Sequence, residues 1–330
     1  MITNTYTVSY AVLSGCSLAM GASAGAVGVR AGWKWGRAET PERQHQLERL
    51  SYLAVTLVTM ALLVRLYLVP YWFWTLQSLV PAIPGAMCLA GVHLANSPAS
   101  FISSIMKLFV PFIYGFWLML SHIDRRIEAQ PFARAKLLLL APLGLSMVAE
   151  AAVDIAYLAP LKPRPVSCCT SLFDLPVEGV PDVIMSTNSV WVIAFVALSV
   201  AIAILLIAGR RGGGTARVPA ILTIIASLSA LVVFFLALHT RLSPLLLNAP
   251  YHHCVFCLWQ AVPVSVLLTA LVMVGLWLAF SQSVVRLMSR RGGGAALPML
   301  DGAALWGALI LTAGLLVFLA SLFWGLATAD

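Results

Sequence analysis

The sequence predicts an all-α, polytopic integral membrane protein, a helical bundle of about eight transmembrane helices. Hydrophobic residues make up 61% of the chain and charged residues only 10%, whereas soluble domains carry about 25% charged residues. The apolar stretches run on without the ten-residue alternation of a membrane barrel. Because lipid offers the backbone no hydrogen-bond partners, such stretches must form helices.

Eight apolar runs have the length of about 20 residues that a helix needs to cross a bilayer. They lie near residues 9–30, 50–70, 99–121, 137–160, 189–209, 218–240, 261–285 and 303–327. We treat residues 1–330 as a single transmembrane domain with membrane lipid as its main partner. The loops predicted to face outward are 71–98, 161–188 and 241–260, and they hold most of the cysteine and histidine.

Basic residues predict the orientation of the chain. Fifteen lie in or beside one set of connecting loops: Arg30, Lys34, Arg37, Arg43, Arg49, Arg125, Arg126, Arg134, Lys136, Arg210, Arg211, Arg217, Arg286, Arg290 and Arg291. The other set holds only Lys162, Arg164 and Arg241. By the positive-inside rule the first set is cytoplasmic. Both termini and the Cys/His loops are then exoplasmic, in a cell inner membrane.

The net charge of +8 comes from the basic residues of these connecting loops. The basic residues form no stripe interleaved with aromatic residues, so the sequence does not favour nucleic acid as a partner. The chain also lacks a nucleotide-binding glycine-rich loop. Any energy source must therefore come from other membrane or periplasmic subunits, an ion gradient or a redox reaction.

All six cysteines fall in the half of the molecule that is predicted to face outward. Five are in the loops, Cys88, Cys168, Cys169, Cys254 and Cys257, and Cys16 lies one to two turns into the first span. The outer face of a bacterial-type membrane is oxidising and permits disulfides. Three uses of these cysteines remain open: thiol exchange, metal binding and structural disulfides.

Thiol–disulfide exchange is favoured by Cys254-Val-Phe-Cys257 at the start of the seventh span. A positive helix N-terminus lowers the pKa of a thiol there, and Cys168 or Cys169 would relay the disulfide. The pattern Cys254-Val-Phe-Cys257-Leu before an apolar helix resembles the vitamin K epoxide reductases, over fewer than ten residues. The resemblance implies a redox pair beside a quinone, although that family has a four-helix core.

Metal binding is favoured by the sequence His252-His253-Cys254-x-x-Cys257, which offers up to four ligands within six residues. Cys88, His93 and Cys168 would complete such a site. Thiolate and imidazole together suit zinc, Cu(I) or iron. Covalent c-type haem is disfavoured, because Leu258 follows where that motif has histidine.

Structural disulfides are the third possibility, since they would constrain the long outer loops. The protein would then be a permease or a scaffold subunit of a membrane complex. The sequence leaves these alternatives open: a membrane oxidoreductase or electron-transfer subunit, a soft-metal transport or delivery protein, and a scaffold.

Charged residues also occur within the predicted spans. Glu150 and Asp154 are four residues apart and share one helix face. Because charges at this depth pair or face a cavity, we expect Lys107 or Arg65 to neutralise them. Either the acids transfer protons for a reaction at the outer face, or they form a structural ion pair.

Overall fold

The computed structural model describes residues 4–35, 40–96, 98–128, 130–166, 189–211, 217–289 and 297–328. Its α-helices are α1 (Thr5–Lys34), α2 (Pro41–Leu79), α3 (Leu89–Leu94), α4 (Ala99–Arg125), α5 (Ala133–Leu138), α6 (Leu140–Leu158), α7 (Val190–Arg211), α8 (Arg217–Ala237), α9 (Ser243–Leu246), α10 (Val255–Ala261), α11 (Pro263–Ser289) and α12 (Leu297–Thr328). One 3₁₀ turn (Val80–Ala82) follows α2, and a π-helical segment (Leu238–Leu242) follows α8.

Eight helical stretches are long and apolar enough to cross a membrane. They are Thr5–Lys34, Pro41–Ala82, Ala99–Arg125, Ala133–Leu158, Val190–Arg211, Arg217–Leu246, Pro263–Ser289 and Pro298–Thr328. Their outer surfaces carry large exposed apolar side chains such as Ile193, Leu309 and Leu316, as lipid contact requires. The predicted all-α multi-pass architecture is confirmed. The inner-membrane location and the exoplasmic placement of the termini and loops stay predictions.

Two helices extend further than the sequence indicated. The second stretch continues past Pro70 as helix to Leu79, so the first part of the predicted loop 71–98 is helical. Membrane helices tolerate an internal proline because neighbouring groups satisfy the freed backbone carbonyl. The sixth stretch continues through the π-helical segment to Leu246, which shortens the predicted loop 241–260.

The chain forms two compact units, and unit 1 comprises Met1–Pro84 and Val92–Arg164. Small residues of α1 let it approach its neighbours closely: a Cβ on Gly28 would lie 2.2 Å from Cδ1 of Leu140 in α6. Buried apolar residues, among them Leu62, Trp117 and Leu143, form a core in this unit. The charged residues Arg65, Lys107, Glu150 and Asp154 are also buried within it.

Unit 2 comprises Gly85–Gly91 and Pro165–Asp330. Its long helices α7, α8 and α12 meet at Phe195, Phe234 and Phe318, which are all fully buried. The ring centroids of Phe195 lie 5.1 Å from those of both Phe234 and Phe318. Aromatic packing therefore joins these three helices. The prediction of a single transmembrane domain is not tested by this division and stays a prediction.

The orientation can be tested at Cys254, between the sixth and seventh spans. If the fifteen basic residues are cytoplasmic, Cys254 is exoplasmic. After mild reduction of intact cells, a small membrane-impermeant thiol reagent should label Cys257, which lies three residues from the buried Cys254 and is partly exposed, with permeabilised cells as the reference for full labelling. Labelling of Cys257 that appears only after permeabilisation would reverse the orientation.

Candidate metal centre

The segment Gly85–Gly91 brings Cys88 into unit 2. Gly85 has φ +84°, and a Cβ at this position would lie 2.3 Å from the backbone oxygen of Val166. Only glycine fits this left-handed conformation and close approach without displacing the backbone. The amide of Gly91 then donates to the backbone oxygen of Cys88 at 3.0 Å, which fixes the turn that leads into α3.

Helix α10 positions the other two thiols. Cys254 is its N-cap residue, in extended conformation, and its carbonyl accepts from the amide of Leu258 at 3.1 Å. Cys257 follows three residues later, and residues at this spacing share one face of a helix. The Cys-x-x-Cys sequence therefore directs both sulfur atoms to the same side.

The sulfur atoms of Cys88, Cys254 and Cys257 all lie within 4.8 Å of one another. The Sγ atoms of Cys88 and Cys254 are 3.9 Å apart. Three sulfurs bound to one zinc-sized ion at about 2.3 Å would be separated by about 3.8 to 4.0 Å. The three thiols thus need only a small adjustment to hold a single metal ion.

This cluster is largely shielded from solvent. Cys88 and Cys254 are buried, and Cys257 is partly exposed. Ala90 and Phe256 pack around them. The sulfur atoms of Cys88 and Cys254 therefore lie among apolar side chains, and Cys257 is the residue of the cluster that solvent can reach.

Hydrogen bonding differentiates the three thiols. Hydrogen bonding with Cys257 and Cys88 lowers the pKa of Cys254 to about 4, against the opposing effect of burial. The hydrogen bonds to Cys254 raise the pKa of Cys257 and of Cys88. Cys254 is therefore the thiol of this cluster that loses its proton most readily, and the thiolate is the form that binds metals.

The histidines predicted as ligands take other positions. Among the described residues of unit 2, the compact group of ligand atoms contains three sulfurs and neither His252 nor His253. His253 Nδ1 lies 3.1 Å from the backbone oxygen of His239, and their rings are 5.4 Å apart. His252, the residue before His253, is also buried. Their role as ligands stays a prediction.

His93 belongs to unit 1, where its Nε2 lies 3.2 Å from Oγ of Ser104. Burial lowers the pKa of His93 to about 4, so this imidazole is neutral at physiological pH. Cys16 lies exposed on α1. Cys168 and Cys169 lie outside the described residues, so their predicted relay or ligand roles stay predictions.

The acids of α6 form a buried ion-pair network within unit 1. Lys107 Nζ donates to Glu150 Oε1 and, at 2.8 Å, to Asp154 Oδ2. Arg65 Nη1 lies 3.5 Å from Glu150 Oε2. Both cations that the sequence proposed as partners are therefore present. Whether the acids transfer protons stays a prediction.

Three hydroxyl groups complete this network, and sequence reasoning missed all of them. Tyr10 and Ser103 donate to Asp154, each at 2.6 Å, and Tyr114 donates to Glu150 at 2.8 Å. A tyrosine within an apolar run looks like an ordinary packing residue, so its sequence context does not indicate a hydrogen bond to a buried acid. The one available signal was Ser103, which precedes Lys107 by four residues on the same face of α4.

No family model, curated protein or solved structure matches the chain. We therefore infer the function from the geometry of the described residues.

Proposed function

We propose that this membrane protein binds a soft metal ion, Cu(I) or zinc, through Cys88, Cys254 and Cys257. The observation that carries the proposal is the mutual approach of three sulfur atoms within 4.8 Å. Soft thiolate ligands select Cu(I) and zinc over hard ions such as magnesium or calcium. The thiolate at Cys254 would bind first, and the metal would displace the protons of the other two thiols.

The partial exposure of Cys257 supports exchange of the metal with a partner rather than permanent burial. A soluble or membrane subunit on the same face could approach this edge and present its own ligands. Metal delivery or capture at the exoplasmic face is therefore the role that we assign to the site.

Transport of the ion across the membrane by unit 2 is less well supported. Phe195, Phe234 and Phe318 are fully buried and pack together between three of its helices, where a transport path would need polar ligands. At the other end of the helices, Arg286 forms an ion pair with Asp301, and an arginine repels a cation. We therefore propose a metal site that binds and releases its ion at one face of the membrane only.

The proposal is tested by metal loading. Protein purified in nanodiscs, reduced and kept anaerobic, should bind about one Cu(I) or zinc ion per chain with high affinity. The Cys88→Ser variant should lose this ion, whereas Cys16→Ser should retain it, because Cys16 lies exposed on α1. Failure of the wild-type protein to retain a stoichiometric ion, or equal loss from both variants, would refute the proposal.

Thiol–disulfide exchange is a second candidate, favoured by the lowered pKa of the Cys254 thiol and by its distance of 3.9 Å from the sulfur of Cys88. Joining two protonated thiols as a disulfide would release two electrons and two protons, which a quinone or a partner disulfide would accept. Glu150 and Asp154 would handle the protons in this case. An anaerobic titration against glutathione should then show a reversible two-electron transition that Cys257→Ser abolishes.

A further inference from the structure

Three buried donor atoms of α2 have no hydrogen-bond acceptor among the described residues: Nε and Nη1 of Arg65 and Nε1 of Trp72. Both side chains are 0% exposed. Nη1 of Arg65 lies 3.5 Å from Glu150 in an ion pair, which leaves Arg65 Nε and Trp72 Nε1. The two residues are seven apart and lie on the same face of the helix. Unsatisfied N–H groups in lipid-embedded protein are strongly unfavourable, so these two donors point to a ligand with acceptor oxygens.

The neighbouring carboxylates accept hydrogen bonds from other donors and from neither of these two. Asp154 accepts from Tyr10, Ser103 and Lys107. Glu150 accepts from Lys107 and Tyr114 and lies in ion-pair contact with Arg65 only through Nη1. The donors at Arg65 Nε and Trp72 Nε1 are left over after the network is complete.

Charge balance restricts the class of ligand. Arg65 and Lys107 offset Glu150 and Asp154, so the network as it stands is neutral. An anion would leave an uncompensated negative charge at membrane depth, which is costly. A neutral compound with carbonyl oxygens would accept both hydrogen bonds and preserve the balance.

Aromatic rings extend from these donors to the lipid-facing surface. Tyr67 is 58% exposed, and its ring centroid lies 5.7 Å from that of Tyr71. The ring of Tyr71 is nearly parallel to that of Tyr10, at 6.5 Å, and Tyr10 lies 5.0 Å from Trp72. Such a surface favours a flat aromatic molecule entering from the membrane.

We propose that α1 and α2 of unit 1 bind a neutral, membrane-soluble aromatic carbonyl compound of the quinone class. Its carbonyl oxygens accept from Arg65 Nε and Trp72 Nε1, and its ring contacts Tyr10 and Tyr71. Because the two donors are separated along one helix face, a ring with oxygens at opposite ends suits them better than a ligand with one oxygen. The inference uses no residue of the cysteine cluster and is independent of the metal proposal.

Equilibrium binding of decylubiquinone to the protein in nanodiscs tests this site. Wild-type protein should bind it saturably, and Trp72→Phe should weaken binding about tenfold, the effect of one lost hydrogen bond. Trp74→Phe is the matched control, since Trp74 lies on the same helix but is 64% exposed, and it should bind like the wild type. Thermal unfolding of both variants verifies that they are folded.

A photoreactive azidoquinone provides a second measurement on the unaltered chain. It should label peptides of α1 and α2 around Tyr10 and residues 65–72, and excess decylubiquinone should prevent the labelling. Benzoate, an aromatic anion, should not compete. Absence of saturable binding, equal affinities of the two tryptophan variants, labelling confined to other helices, or competition by benzoate would each overturn the proposal.

Discussion

Replacing Cys254 with serine should lower the affinity for Cu(I) more than about a hundredfold, since loss of a residue outside the ligand shell alone costs about 10- to 100-fold. Cys254 is hydrogen-bonded to both other thiols, and these hydrogen bonds lower its pKa. Serine has nearly the same shape but binds soft ions poorly. Competition against a chromophoric Cu(I) chelator measures the affinity directly.

Cys16→Ser is the matched control for this experiment, because it removes a thiol from α1 without touching the cluster. Its affinity should equal that of the wild type. The double replacement His252→Ala, His253→Ala distinguishes a sulfur site from the mixed site that the sequence suggested. An all-sulfur site keeps the metal in that variant. Loss of the metal would show that the imidazoles of His252 and His253 are ligands. If Cys254→Ser binds as tightly as Cys16→Ser, the cluster is not the metal site.

The Lys107→Met variant should be less stable than the wild type by roughly 3–5 kcal/mol, because it leaves buried carboxylates uncompensated. Lys107 is completely buried and contacts both Glu150 and Asp154. Its ammonium also lies 5.3 Å from the Trp72 ring and 5.4 Å from the Tyr10 ring, so cation–π contacts add to the loss. Reversible unfolding in mixed micelles measures the difference.

Adding Asp154→Asn or Glu150→Gln to Lys107→Met should recover part of this stability, because one negative charge disappears with the positive one. Lys34→Met, at the exposed end of α1, serves as the control and should be close to neutral. A silent Lys107→Met variant, or a double variant no more stable than the single one, would show that the ion pairs contribute nothing.

The helices could be predicted because their signal is local. A continuous apolar run of sufficient length specifies a membrane helix by itself, and all eight predicted runs are found as helices. The error at Pro70 arose because proline ends helices in water, where a broken hydrogen bond goes to solvent. In the membrane helix the chain continues to Leu79 instead.

The sites were only partly predictable, because their residues are distant in sequence. Glu150 and Asp154 could be paired through helical spacing, but Tyr10, which is 144 residues from Asp154, could not be found in this way. Cys88 and Cys254 are 166 residues apart, and only the tertiary fold shows that they meet.

The side chains of His253 and Cys254 are adjacent in sequence but have different neighbours in the fold. Because Cys254 has extended backbone geometry, successive side chains point in different directions. The Cys254 sulfur joins the cluster while His253 turns to the backbone of His239. The two cysteines of the motif therefore meet a third cysteine, Cys88, which is 166 residues from Cys254 in sequence.

X-ray absorption spectroscopy of the copper-loaded protein tests the metal proposal most directly, since it counts the ligand atoms and identifies their type. A site made of Cys88, Cys254 and Cys257 should give about three sulfur atoms at about 2.2–2.3 Å from the metal. The Cys88→Ser variant should show one sulfur atom fewer. A first shell dominated by nitrogen or oxygen, or one unchanged in Cys88→Ser, would contradict the three-cysteine site.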